Sequence, residues 1–314
     1  MTAYKFIKPR RPQEFNEAQI LKAIAKSGGV YVSPKADGVR LQIIIPEDAS
    51  GVVIRSREDK PFRALGLYEE ALSAPHLQDY LVDLAGWTIE AEGIVIDPTG
   101  SELNCAETAG ALQRKEPLRL SQLVIRVFDL HHPTKTKGQD IAERFTNGYQ
   151  LAQAYELLRR VAYQVTPLAP LRLNSLDLAF KAYERFRAAG FEGAVLTPLG
   201  APYTSGKKVA SGWKIKPEET KEATVTSILE RVSEAGVPQG MVGSLEVTYE
   251  DGTKGKVGAG RMTHAERYHY WKHPEEILGR LIEVSSMETN ETGGQRHPVF
   301  KMFRDFPEAK GVKV

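Results

Sequence analysis

The sequence predicts an α+β protein of two domains, and three observations point there. At 314 residues the chain is longer than one compact core usually takes. Its first two thirds mix strand-like alternation with amphipathic helical stripes. From about residue 218 the pattern changes to short strand-like runs around a single helical stretch, which fits a small Greek-key barrel such as an OB-fold. The expected division is 1–219 and 220–314.

Taken in order, 12–26 reads as a helix, with Phe15, Ala18, Ile20, Leu21 and Ile24 forming an apolar stripe and Gly28-Gly29 stopping it. Two strands follow, 30–33 and 41–45, joined through Pro34-Lys35-Ala36-Asp37-Gly38-Val39-Arg40. Pro34 is expected to break the first strand and Gly38 to allow a tight turn, which leaves Lys35 on a loop. The next strand, 51–57, ends in Arg55-Ser56-Arg57. A helix interrupted near Pro75 covers 69–84. Over 87–96 the residues alternate, placing Ile89, Ala91, Gly93 and Val95 on one face and Glu90, Glu92, Ile94 and Ile96 on the other. A strand over 123–130 ends Phe128-Asp129-Leu130, and His131-His132 read as solvated loop residues. Helices are expected over 140–162 and from the Ser175 cap to Ala189. Phe191-Glu192-Gly193 opens a strand, and the Gly- and Lys-rich loop 198–209 reads as one that DNA would order. Lys214 and Lys216 share a strand face. The barrel strands are expected over 223–229, 243–249, 254–258, 281–286 and 299–303, with a helix over 263–272 and a hairpin turn at Asp251-Gly252.

Composition narrows the class. Hydrophobic residues make up 41% and charged residues 26%, ordinary values for a globular protein. The apolar runs are strand-sized, so no membrane span is expected, and Met1-Thr2-Ala3-Tyr4-Lys5 has no apolar signal core. Cys105 is the single cysteine, which excludes an intramolecular disulfide and argues against a cysteine-based zinc site. A cytoplasmic location is the resulting expectation. The net charge of +2 is close to neutral, so a nucleic-acid surface would need local clusters of Lys and Arg.

Several residues carry candidate chemistry. Lys35 could be a nucleophile if its amine were neutral; standing alone, it reads more readily as a solvated turn lysine. Glu92 is a carboxylate on a face that also carries isoleucines, which calls for a cation, a metal or a buried ion pair. Arg57 is either an edge-strand charge or a cation aimed at phosphate or ribose. Lys214 and Lys216 repel one another unless an anion lies between them.

In this order the motifs resemble those of the covalent nucleotidyltransferase superfamily, and within it the ATP-dependent DNA ligases. Lys35-Ala36-Asp37-Gly38-Val39-Arg40 matches K-x-D-G-x-R, Glu192-Gly193 the E-G motif and Lys214-Ile215-Lys216 the K-x-K motif. Ser56-Arg57, Glu92 and Phe128 fall at the intermediate motifs. The segment from Arg296 to Arg304 is similar to the end of compact, podovirus-type bacteriophage ligases. The resemblance covers about Val30 to Arg304. It departs at Ser33, where an acid is common, at Glu90-Ala91-Glu92, where Asp-Gly-Glu is usual, and at Thr197, where a lysine is common.

The resemblance implies an adenylation domain of antiparallel sheets with flanking helices, followed by an OB-fold barrel, in a monomer. It implies a covalent AMP adduct on Lys35 formed from ATP, and sealing of nicked double-stranded DNA. Lys214 and Lys216 would hold the α-phosphate and help keep Lys35 neutral. Ser33, Arg40, Arg57, Glu92, Phe128 and Glu192 would surround the nucleotide, with Phe128 stacked on the base. Glu92 and Glu192 would serve Mg²⁺, for which Mn²⁺ could substitute. Arg296 and Arg304 would orient the pyrophosphate when the second domain closes about a hinge at 217–223. Lys207, Lys208, Lys254, Lys256 and Arg261 are candidate DNA-backbone contacts. RNA ligases and mRNA-capping guanylyltransferases share the first step, and a nick-binding protein without the chemistry is the alternative from another class.

Overall fold

The computed structural model describes residues 4–146, 148–217, 219–233, 236–289 and 295–304. The chain divides into two compact units, Met1–Ile215 and Lys216–Val314.

In the first unit the elements are β1 (Arg10–Arg11), β2 (Gln13–Glu14), α1 (Glu17–Ser27), β3 (Val30–Lys35), β4 (Val39–Ile44), β5 (Val53–Arg55), α2 (Gly66–Leu72) and α3 (Gln78–Asp83). Then come β6 (Thr88–Val95), α4 (Cys105–Leu112), β7 (Leu123–His131), α5 (Ile141–Phe145), α6 (Gly148–Leu158), β8 (Gln164–Pro167) and β9 (Leu171–Leu173). α7 (Leu176–Ala188), β10 (Gly193–Pro198), β11 (Gly206–Lys207) and β12 (Trp213–Ile215) complete it. Among the described residues these strands form two five-stranded sheets, β2-β12-β10-β3-β9 and β5-β4-β6-β7-β8, and the pair β1-β11.

Each large sheet has one apolar and one polar face. In the first, Val30, Val32, Ala194, Leu196, Trp213 and Ile215 bury against Ile20 of α1 and Leu176, Ala179 and Ala182 of α7. Paired residues on neighbouring strands share a face. The register Ser33↔Val195↔Lys214 and Lys35↔Gly193 therefore sets Ser33, Lys35 and Lys214 on the opposite face. In the second sheet, Leu41, Ile43, Ile89, Ala91, Leu123, Ile125 and Val127 join the largest core with Leu72, Leu81, Trp87, Leu112 and Leu158. Arg40 and Gln42, opposite Glu92 and Glu90, lie on the other face, as alternation over 87–96 requires.

Local signals explain the departures from expectation. Helix α1 begins at Glu17 rather than Pro12, because the Asn16 side chain accepts from Gln19 N at 3.0 Å and Gln13–Glu14 pairs with β12. Pro34 does not end β3: it pairs with Ala194, and the strand runs on to Lys35. The helix expected over 140–162 is two, α5 and α6. Strands β8 and β9 went unread in a Pro-rich stretch.

The second unit holds β13 (Glu219–Val232), β14 (Pro238–Tyr249), β15 (Lys254–Gly258), α8 (His264–Lys272), β16 (Leu281–Thr289) and β17 (Gln295–Phe303). The strands close into a barrel in the order β13-β14-β15-β17-β16. Val225, Leu245, Val247, Val257, Ile282, Val284 and Phe300 fill it. β15 has the expected bounds and the other four strands run longer than expected; β13 already starts at Glu219, so little of 217–223 is linker. No helix among the described residues is long and apolar enough to cross a membrane.

Candidate active site

The polar faces of the two large sheets supply the site, and Lys35 stands at the end of β3 between them. Its amine is in contact with Glu192 Oε2, and the Glu192 backbone N–H donates to Lys35 O at 2.8 Å. This double tie fixes the acid of the E-G motif against the lysine of K-x-D-G-x-R. Gly38 brings β4 close to β6: a side chain there would meet Gly93 O at 2.6 Å and Glu92 Cγ at 2.9 Å. The requirement at Gly38 is thus close approach, not the tight turn expected from the sequence. Gly212 serves β12 in the same way. Its φ is +81°, and a Cβ would lie 1.9 Å from Leu196 O.

The electrostatics of Lys35 differ from the expectation. Burial pushes its pKa down, but the carboxylates of Glu192 and Glu92, with Asp37 behind them, prevail and hold the amine above its ordinary value. Lys214 does not keep it neutral, because Lys214 Nζ lies 2.8 Å from Glu14 Oε1. Lys216 is not in β12 with Lys214; the strand ends at Ile215 and Lys216 begins the second unit. Burial drives the Glu92 carboxyl up to about 7, with Glu192 and Asp37 adding to the effect and Lys35 and Arg40 opposing it. Among the described residues no side chain hydrogen-bonds that carboxyl.

Beneath Glu92 lies an ionic network that sequence reasoning missed. Glu90 is fully buried. Its Oε1 accepts from Tyr203 OH at 2.7 Å and Gln42 Nε2 at 3.2 Å, with His131 Nε2 3.3 Å away. Its Oε2 accepts from Arg40 Nε at 2.9 Å; Nη2 is equally near but not aligned to donate. Burial alone would raise the Glu90 pKa, yet Arg40 and His131 bring it down to about 2. Asp129 accepts both arms of the Arg144 guanidinium at 2.8 Å and lies 3.5 Å from Arg10 Nε. Arg40 therefore serves this network, and its guanidinium covers the Phe128 ring at 5.0 Å.

Phe128 owes its position to a bulge. Glu90 pairs with Asp129 and Ala91 with Val127, leaving Phe128 as the extra residue. Leu130 thereby rejoins the core, and Asp129 and His131 turn to the polar face. Phe128 packs with Phe191 against Ala36, Ile94, Ile96, Val124 and Leu168. His131 and His132 are buried, against the expectation of solvated histidines.

Other expected site residues lie apart from this cluster. β5 ends at Arg55, so Arg57 is in an exposed turn, 3.4 Å from Glu58. Ser33 is the exception: buried opposite Val195, it shares the face of Lys35 and Lys214. The loop after β10 is tied down by Tyr203, by Asp140 accepting from Gly200 N at 3.1 Å and by pairing of β11 with β1. Lys208 is exposed on it, and the Lys207 side chain lies outside the described residues. In the barrel, Lys254 and Lys256 are exposed on one face of β15, and Arg261 is exposed before α8. Arg304 reaches Glu283 at 2.8 Å and Glu222 at 3.4 Å. Arg296 belongs to β17, and its side chain lies outside the described residues.

Comparison with known proteins gives the family and the fold. A "Probable DNA ligase" of Mycolicibacterium gilvum (strain PYR-GCK) is 28% identical over 219 residues, covering 67% of this chain and 39% of that protein. The chain thus matches about two fifths of that relative's length. Two solved structures share the fold. One belongs to a structure-function analysis of Lig E DNA ligases, with a TM-score of 0.62, 19% identity and coverage of 96% of this chain and 100% of that one. The other is the ATP-dependent DNA ligase of bacteriophage T7 with ATP, with a TM-score of 0.55, 20% identity and coverage of 95% and 98%. Residues 13–216, nearly two thirds of the sequence, match the ATP dependent DNA ligase domain, and the chain belongs to that family.

Proposed function

We propose that this protein is an ATP-dependent DNA ligase that seals nicks between a 3′-hydroxyl and a 5′-phosphate in duplex DNA. The observation that carries the reading is the Lys35–Glu192 contact, beside a second carboxylate and a fixed aromatic ring. In the first step the Lys35 ammonium gives a proton to Glu192 Oε2, the atom it already touches, and the freed Nζ lone pair attacks the α-phosphorus of ATP. A phosphorus–nitrogen bond forms, the bond to the β-phosphate oxygen breaks and pyrophosphate leaves. The second Nζ proton, released as the phosphorus–nitrogen bond forms, leaves with the pyrophosphate. AMP then moves to the 5′-phosphate of the nick, and the 3′-hydroxyl displaces it. Such transfers depend chiefly on positioning and charge stabilisation.

Glu92 and Glu192 fit a hard dication. Glu92 has a raised pKa and no hydrogen-bond donor among the described residues, and the second acid lies within its electrostatic reach. Mg²⁺, or Mn²⁺ in its place, would be held by these two carboxylates and would neutralise charge on the phosphate oxygens. Lys214, released from Glu14, and Lys216 would bind the α-phosphate. Phe128 would receive the adenine once Arg40 moves aside, with Ser33 and Arg57 at the nucleotide's edges. Arg296 and Arg304 would act on the pyrophosphate. Lys207, Lys208, Lys254, Lys256 and Arg261 would bind the DNA backbone, so affinity would fall as salt rises. The working form would be a cytoplasmic monomer.

The test separates the steps. Purified protein, freed of bound AMP with pyrophosphate, is given ATP, GTP or NAD with Mg²⁺, then nicked DNA or nicked RNA. Adduct from ATP alone, discharged as nicked DNA is sealed, supports the reading. Adduct from GTP moves the protein to capping, preference for nicked RNA moves it to RNA ligation, and no adduct leaves only nick binding.

A further inference from the structure

We propose that the end of α8 and the turn after it bind one transition-metal dication of the zinc type through His273, Glu275 and Glu276, with His269 orienting the Glu276 carboxylate. The site lies wholly within the barrel unit and does not rest on the Lys35 chemistry.

His269 and His273 are one helical turn apart, and their rings stack with centroids 4.9 Å apart and planes inclined by 36°. His269 Nε2 lies 2.7 Å from Glu276 Oε2, and His273 Nδ1 lies 3.5 Å from Glu275 Oε1. Ligand atoms of His273, Glu275 and Glu276 all fall within 4.8 Å of one another. Two imidazoles so close repel when both are protonated, so a dication held by His273 and the two carboxylates relieves what two protons would aggravate. With neutral rings, the two carboxylates leave a charge of −2 that a dication cancels. The mix of imidazole nitrogen and carboxylate oxygen suits Zn²⁺, Co²⁺ or Ni²⁺ rather than Mg²⁺.

The backbone holds these groups ready. A capping box between Thr263 and Glu266 starts α8. His273 N–H donates to His269 O at 2.9 Å, Pro274 fixes the next turn, and Glu276 N–H donates back to His273 O at 3.2 Å. All four side chains come from one continuous stretch, and Tyr270 and Trp271 pack the same helix against the barrel core. The metal would therefore clamp α8 to the turn leading toward β16.

The experiment uses the full chain, stripped with a chelator and held in excess Mg²⁺ so that hard oxygen sites are filled. Zn²⁺ is titrated against a chromophoric chelator, and Co²⁺ is added separately to read its visible absorption. The expected result is one Zn²⁺ per chain, roughly tenfold or weaker binding in His269→Ala and in His273→Ala, and loss in the double variant. Binding should also fade below the imidazole pKa range, because protons compete for the same nitrogens. The four residues are exposed, so circular dichroism should match across the variants. No Zn²⁺ bound at one equivalent, or a double variant that binds as the parent does, would overturn the proposal.

Discussion

Tyr203 donates its phenolic hydrogen to Glu90 Oε1 at 2.7 Å, joining a loop near the end of the first unit to the middle of its second sheet. The same ring stacks on His131 at 4.1 Å and lies under the Arg144 guanidinium at 5.4 Å. One side chain thus joins the loop after β10 to the network on the second sheet, and its energetics can be tested. Glu90→Ala strands the Arg40 charge in a buried place and should cost about 3–5 kcal/mol. Tyr203→Phe removes one donor to a charged acceptor and should cost about 1.5–3 kcal/mol. Denaturant unfolding of the two variants checks this. Equal, small losses would mean that the network is not held as described.

Close approach at Gly38 gives a second expectation. In Gly38→Ala the new methyl collides with the Gly93 backbone, which cannot turn aside as a flexible side chain could. The β4–β6 spacing must widen beside Glu92, with a stability loss of about 1–3 kcal/mol and a fall in adduct formation. Unchanged unfolding midpoint and unchanged adduct rate would show that this contact yields at no cost.

Glu92 ties stability to pH. An ordinary glutamate titrates near about 4.3, whereas this one is pushed up to about 7. Between those values the folded protein keeps a proton that the unfolded chain has released. Stability from this group therefore falls as pH rises through the window and stays flat above it. Glu92→Gln removes that loss, so the variant should gain on the parent at about pH 8 and not at about pH 4, while forming less adduct. Unfolding midpoints at the two pH values decide it: a difference independent of pH would contradict the assignment.

Arg304 bridges two acids that face each other across β13 and β16, where Glu222 and Glu283 are direct partners. Burial pushes the Glu283 pKa up, but Lys301 and Arg304 more than offset this and hold it low. A depressed carboxyl contributes stability above its unfolded pKa and loses it as pH falls through the folded one. Arg304→Ala should therefore weaken the barrel at neutral pH, with the difference shrinking toward about pH 3. Thermal unfolding across that range measures it, and a constant difference would point to lost packing instead.

Much of the architecture was legible because burial writes a period into the sequence. The split of β6 into a core face and a face carrying Glu90 and Glu92 follows from strict alternation. The barrel strands, the cap at Ser175 and the helix near Thr263 were equally readable. The bulge at Phe128 was not, since one inserted residue reverses the phase without changing composition. It concealed the inward turn of Asp129 and the burial of His131. The partners of Arg40 and Lys214 were also hidden. Each pairs with an acid distant in sequence, Glu90 and Glu14, and no local spacing signals that. The charge state of Lys35 was misjudged for the same reason: its lysine neighbours are visible in a motif, while the balance of Glu192, Glu92 and Asp37 exists only in three dimensions.

Mass spectrometry of the protein after incubation with ATP and Mg²⁺ tests the central claim most directly. The reading predicts a mass increase of one AMP, mapped by peptide fragmentation to Lys35 and missing in Lys35→Ala, with pyrophosphate reversing it. An unmodified Lys35 under those conditions, or AMP carried on another residue, would contradict it.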